Sequence, residues 1–191
     1  YGTTTVSTTR PSVRTESQIE LGPPPANQDS PRAVVRKLYR ALRTKDKAMF
    51  CECYYGRLEE AAAAEYELVQ TVLAARRKIT EICGPTAFSK FEKEVISYWC
   101  VVGVEDLERA DAVQIEISGR RASAFIYGPG ALGHVLERHE KGVWCLVSSI
   151  VITGEPTAVG IEGMRVRYVR AINALKEPGA TLAKAIKAYE K

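Results

Sequence analysis

The sequence predicts an α+β fold, an antiparallel β-sheet packed against N-terminal helices. A long helix and a C-terminal helical pair are added to it. Three observations predict it. Apolar residues alternate at period two within Asp111–Ile152, the mark of strands with one buried face. Apolar stripes at helical spacing occupy most of the chain before and after that stretch. Gly and Pro pairs punctuate the boundaries. The only candidate sheet is this stretch, so the helices are expected to lie on it.

Residues 1–29 are rich in Thr, Ser and Pro, with Pro23-Pro24-Pro25 near the end and no apolar period. Such a segment buries too little surface to offset its ordering entropy, and we read a flexible tether. Residues 30–191 form a single domain, with a helical extension from about residue 155. A tether of this kind commonly follows a cleaved signal or an anchor, and the chain opens on Tyr1 rather than Met. The expected location is therefore exported or cell-envelope, with cytoplasm as the alternative.

Ser30-Pro31 opens the first helix: Ser accepts from free N–H groups and Pro fits the first helical position. Val34, Val35, Leu38, Tyr39 and Leu42 make its apolar stripe, and Arg32, Arg36, Arg40 and Arg43 share the other side. Asp46 caps a second short helix running to about Tyr54, with Ala48, Met49, Phe50 and Cys53 available for burial. After Gly56 the alanine-rich stretch from about Arg57 to Cys83 favours helix. Its stripe is Leu58, Ala62, Tyr66, Val69, Val72, Leu73, Ile79 and Ile82, and Gly84-Pro85 stops it. A further helix spans about Thr86 to Tyr98, with Phe88, Phe91, Val95 and Trp99 as its apolar set; Val101–Leu107 stays open between strand and connector.

In the sheet, Val113, Ile115 and Ile117 share a face, and Gly119-Arg120 supplies a two-residue turn. That turn sets Ile117 opposite Ala122, Ile115 opposite Ala124 and Val113 opposite Ile126, a uniformly apolar and buried set. Tyr127-Gly128-Pro129-Gly130 breaks the second strand. A third strand near Gly133–Glu140 meets a fourth near Val143–Ile152 through Lys141-Gly142. This pairing puts Val135, Glu137 and His139 on one face with Trp144 and Leu146, and His134, Leu136 and Arg138 on the other with Cys145 and Val147. The fourth strand is apolar on both faces, as a covered central strand would be. Helices near Gly160–Lys176 and Ala180–Glu190 follow the Glu155-Pro156 break, placed either on the sheet or on the long helix.

Composition excludes little. Net charge is +4, too mild to imply nucleic acid, and no apolar run reaches the ~18–20 residues of a membrane span. Five cysteines leave at least one without an intrachain partner. Cys51-x-Cys53 is not a metal spacing, so buried apolar thiols are expected, with one disulfide left open. His134 and His139 fall on opposite strand faces and do not converge on a metal or a shared base. No catalytic, cofactor or metal motif stands out.

The stretch SPRAVVRKLYRALRTKDKAMFCECY resembles the opening of nuclear transport factor 2-like domains, including the SnoaL and ketosteroid isomerase branches. The runs RRASAFIY and VLERHEKGVWCLVSS are similar to the closing strands of that superfamily. The resemblance implies a cone-shaped pocket inside a curved sheet and dimerisation through the sheet's outer face. Departures are the long helix and its successor, placed where a strand usually follows, and the C-terminal pair.

Aligned on the shared Asp, here Asp46, the isomerase oxyanion Tyr position falls on Leu38, not Tyr39, and one residue turns a helical side chain by about 100°. The base position falls within GRLEEAAAAE, which reads as helix. No catalytic role transfers. The expected function is a non-catalytic small-molecule-binding or assembly module, working as a homodimer. Candidate pocket residues for an apolar ligand are Tyr39, Tyr55, Trp144 and Leu146; Arg32, Arg36, Arg40 and Arg43 form a candidate phosphate or partner face. The alternatives are a SnoaL- or isomerase-like enzyme acting on a hydrophobic molecule, and nucleic-acid binding through the Arg row with Arg165, Arg167 and Arg170.

Overall fold

A computed structural model describes residues 23–56, 59–95, 110–125, 133–148 and 158–191. The expected features at Leu58, Trp99, Val101–Leu107, Ile126, the Tyr127–Gly130 break and Glu155-Pro156, and most of the tether, lie outside those residues.

Helix α1 (Pro31–Thr44) starts where the sequence places it: the Ser30 Oγ accepts from the Ala33 N–H at 3.3 Å. It ends because Lys45 turns left-handed (φ 57°), letting the Asp46 N–H donate to the Ala41 carbonyl at 2.9 Å. Asp46 then caps α2 (Lys47–Glu52), its Oδ1 accepting from the Met49 N–H at 2.9 Å. Phe50 and Cys53 are buried, whereas Ala48 faces solvent.

Helix α3 (Glu59–Cys83) is followed by α4 (Ala87–Val95) and a 3-10 turn at Ala110–Ala112. Strands β1 (Gln114–Ser118), β2 (Arg121–Phe125), β3 (Gly133–Arg138) and β4 (Trp144–Ser148) form one curved antiparallel meander, in the order β1-β2-β3-β4. Helices α5 (Ala158–Ala174) and α6 (Leu182–Glu190) complete the described chain, α6 starting at a Thr181 cap.

The β1/β2 register is the predicted one, Ile117 opposite Ala122 and Ile115 opposite Ala124. Burial does not follow it to the end: Ile117 is 60% exposed, and among the described residues β1 is the last strand on its side. The β3/β4 register departs by one residue. Arg138 lies opposite Trp144, Glu137 opposite Cys145 and Leu136 opposite Leu146. The cause is the loop. Gly142 (φ 85°) donates to the His139 carbonyl at 2.9 Å, and His139 in turn donates to Val143 at 2.7 Å. The connection is therefore a three-residue loop with a left-handed Gly, which moves the pairing by one and exchanges the faces. Trp144 and Leu146 consequently lie inside with His134 and Leu136, while Glu137 and His139 fall on the outer side with Cys145 and Val147. A bulge follows between Val135 and Leu136.

Among the described residues β4 is the last strand on its own side, not a central one. Its free edge is closed by irregular backbone: the Trp144 N–H donates to the Gln28 carbonyl at 2.8 Å and the Leu146 N–H to the Cys53 carbonyl at 2.7 Å. These bonds satisfy N–H groups that an uncovered edge strand would leave without partners.

The helices divide their burial. α1 packs on the sheet, against β2 and β4, and Leu38, Tyr39 and Leu42 share one buried core with Ala124, Leu136 and Leu146. The remaining helices pack on each other: α3 against α5, α5 against α6, and α4 against α3 and α6. Of the two placements open for the C-terminal helices, the long helix is the one observed: α5 lies on α3, and α6 on α5 and α4. Phe88, Phe91, Tyr168 and Tyr189 interlock, Tyr168 meeting Tyr189 edge-on with ring centroids 5.1 Å apart. The α3 stripe is buried at Ala62, Tyr66, Val69, Val72, Leu73 and Ile79, but Ile82 in the last turn is 37% exposed.

Candidate functional site

The inner face of the sheet is where a ligand chamber would lie, and it is occupied by side chains. Leu38, Tyr39, Leu42, Ala122, Ala124, His134, Leu136, Trp144 and Leu146 are all buried there. Interiors packed in this way leave few voids larger than a water molecule.

The polar feature of this face is a pair that the sequence did not suggest. The Tyr39 hydroxyl lies 3.1 Å from His134 Nε2, and the two rings meet edge-on at 5.6 Å. Tyr39 reaches it from α1 and His134 from β3, residues 95 positions apart in the chain. The buried hydroxyl and buried imidazole satisfy one another, which is why two polar groups are tolerated in an apolar core. The buried acidic residue among those described is Glu65 of α3.

The four candidate pocket residues are divided between two places. Tyr39, Trp144 and Leu146 belong to the core. Tyr55 is half-buried on the outer side, where it lines an open groove of about 360 Å³ with Arg120, Glu137, His139, Cys145 and the Leu146 backbone region. Its ring meets His139 edge-on at 5.1 Å, and Lys141 Nζ sits 5.9 Å from the ring centroid. The Lys141 N–H donates to His139 Nδ1 at 3.2 Å. His134 and His139 thus face opposite sides, as their odd spacing requires.

The Arg row is also divided. Arg32 donates to the carbonyls of Asp111 at 2.7 Å and Val113 at 3.0 Å, and Arg36 pairs with the Asp111 carboxylate. Both fasten α1 to the entrance of β1. Arg40 and Arg43 are exposed. Arg40 and Arg36 border a larger open groove, about 670 Å³, between α1, α2 and residues 25–29. In that groove Lys37 pairs with Glu52 at 2.6 Å, and Asp29 and Asp46 supply further acidic groups. Arg165 of α5 is held by Glu162 at 2.6 Å.

Cysteine chemistry is muted. Burial pushes the Cys53 thiol up to about 12, and Cys51 is raised by the same cause. Cys51, Cys53, Cys83 and Cys145 are free thiols, and Cys100 lies outside the described residues. A thiol held protonated is a poor nucleophile and a poor metal ligand. No three His, Cys, Asp or Glu side chains converge to hold a metal among the described residues. No described helix is long and apolar enough to cross a membrane.

No family model, curated protein or solved structure matches this chain.

Proposed function

We propose that the chain is a non-catalytic assembly module on a scaffold of the nuclear transport factor 2-like kind, joining a second copy of itself through its sheet. The observation that carries this reading is the filled inner face. Among the described residues, Leu38, Tyr39, Leu42, Leu136, Trp144 and Leu146 are all buried in one core cluster, where the resemblance implies an open chamber. The order of an amphipathic helix, a short Asp-capped helix and a closing antiparallel meander supports the scaffold assignment. The helices α3 to α6 depart from it and build their own aromatic core.

Exposed apolar side chains on the sheet support association. Val135 is 37% exposed on the outer face, where the resemblance implies dimerisation, and Ile117 is 60% exposed at the β1 edge. An isomerase-like reaction draws less support, because it needs a carboxylate poised at the reacting carbon. Here the Tyr39 hydroxyl meets an imidazole. Nucleic-acid binding is weakened by the engagement of Arg32 and Arg36 with the chain's own backbone and Asp111.

A small-molecule reading keeps one specific support, the Tyr55–His139 groove on the outer side. Sedimentation equilibrium of the full chain tests the assembly reading. A species of twice 21.1 kDa supports it, and a 21.1 kDa monomer at the highest soluble concentration overturns it.

A further inference from the structure

We propose that two copies join edge to edge, β1 against β1, in an antiparallel pairing with its twofold axis at Ile115. The inference rests on the reading that the chain self-associates, and it places the joint at the sheet edge instead of the outer face.

The two ends of the sheet are unequal. At the β4 end, the outward N–H groups of Trp144 and Leu146 already donate to Gln28 and Cys53. At the β1 end, no strand pairs with the outer edge among the described residues. Along it Gln114, Glu116, Ile117 and Ser118 are exposed. An edge strand of this kind presents a row of donors and acceptors to any added strand. Addition of one copy's β1 to another's β4 is blocked, so head-to-tail growth has no second surface. Pairing of β1 with β1 uses the same surface twice and closes after two copies.

The side chains select a register. An axis at Glu116 would set the two Glu116 carboxylates directly opposite each other, which is destabilising. An axis at Ile117 would run the strand into the Gly119 turn after one or two pairs on each side. An axis at Ile115 sets Gln114 of one copy against Glu116 of the other, amide against carboxylate. It also sets the exposed Ile117 level with Val113, whose side chain is buried and whose carbonyl accepts from Arg32 within its own chain, so the pairing centres on Ile115. The Gly119-Arg120 turn of one copy then comes level with Asp111 of the other, which pairs with Arg36 of its own chain and keeps its side chain 72% exposed. Of these three axes, only the one at Ile115 avoids opposed carboxylates and keeps the pairing clear of the turn.

The test uses the full chain and two charge-introducing variants at exposed positions. In sedimentation equilibrium, wild type is expected as a dimer. Ile117→Lys should be a monomer at concentrations where wild type is dimeric, a weakening of at least tenfold. Its melting temperature at monomeric dilution should match wild type, because the side chain is already 60% exposed. Val135→Lys, on the outer face, should remain a dimer. A wild-type monomer would sink both this inference and the function it rests on. A dimer that survives Ile117→Lys but dissociates with Val135→Lys would leave the assembly function standing and overturn the edge pairing. Ile115→Cys should form a covalent dimer in air beyond that of the native chain. A stronger yield from Glu116→Cys would overturn the register.

Discussion

Replacing Tyr168 by Phe should stabilise this protein. Tyr168 lies in α5 with no measurable exposure, and its hydroxyl has no hydrogen-bond partner among the described residues. A buried hydroxyl that loses water without gaining a partner costs about 1–3 kcal/mol. The ring itself is well placed, with centroids 5.1 Å from Tyr189 and 6.1 Å from Phe91, and Phe keeps every one of those contacts. Deleting one oxygen leaves little cavity, so the expected gain is about 1 kcal/mol, or about 2–4 °C in melting temperature for a chain of this size.

The alkaline limb supplies a second, independent signature. Burial holds the Tyr168 hydroxyl well above the ordinary tyrosine range, with Tyr189 and Glu92 adding to the effect. The unfolded chain then releases this proton at a lower pH than the folded one. Between the unfolded value near 10 and the raised folded value, the unfolded state binds fewer protons, and stability falls as pH rises. Below pH 10 this contribution is fully present. The Phe variant removes it, so its advantage should widen above pH 10. Urea denaturation at pH 7 and again above pH 10, with unchanged m-values, measures both effects. A Phe variant less stable than wild type by more than about 0.5 kcal/mol at pH 7 would show that the hydroxyl has a stabilising partner, and the reasoning would fall.

Three further outcomes follow from the core and its caps. Tyr39→Phe removes the hydroxyl that meets His134 Nε2, leaves a buried imidazole nitrogen without that partner, and should cost about 1–3 kcal/mol by denaturant titration. Leu146→Ala opens a cavity between α1 and the sheet at a fully buried site and should cost about 2–5 kcal/mol, with a cost under 1 kcal/mol contradicting the filled-core description. Asp46→Ala removes the cap on the Met49 N–H and should lower stability by about 0.5–2 kcal/mol, whereas Asp46→Asn, which can still accept that bond, should lose much less.

Where local chemistry decides structure, the residues were readable in one dimension. Ser30, Asp46 and the Gly119 turn each act within a few positions, and each appears where its own hydrogen-bonding or φ preference puts it. The β1/β2 register followed from that turn and the alternation beside it. The β3/β4 register did not, because Lys141-Gly142 serves equally well as a two-residue turn or as the last two residues of a three-residue loop. The difference is one hydrogen bond, from Gly142 back to His139. Alternation could not arbitrate, since β4 is apolar at Trp144, Cys145 and Leu146 alike. One slipped residue then exchanged the faces of Glu137, His139 and Trp144, and with them the composition of the candidate pocket.

The candidate site was less legible than the fold for a related reason. An aromatic residue in an apolar stripe reads the same whether it lines a chamber or fills one, and Tyr39 and Trp144 fill one. What separates the two cases is the fit of α1 into the sheet, a long-range property decided by Leu38 and Leu42 against Leu136 and Leu146. For the C-terminal helices the sequence left two surfaces open, the sheet and the long helix. Each of α3, α4, α5 and α6 carries a stripe that any apolar surface could cover, and periodicity does not name the surface. The physical reason for their mutual packing is the aromatic set Phe88, Phe91, Tyr168 and Tyr189, which interlocks at centroid distances of 5.1–6.1 Å. With those helices covering one another, the sheet keeps its outer face and β1 edge exposed at Val135 and Ile117. Because α3 to α6 cover one another, the proposed association falls to the sheet, and the contrast between Ile117→Lys and Val135→Lys reads out whether its edge or its outer face carries it.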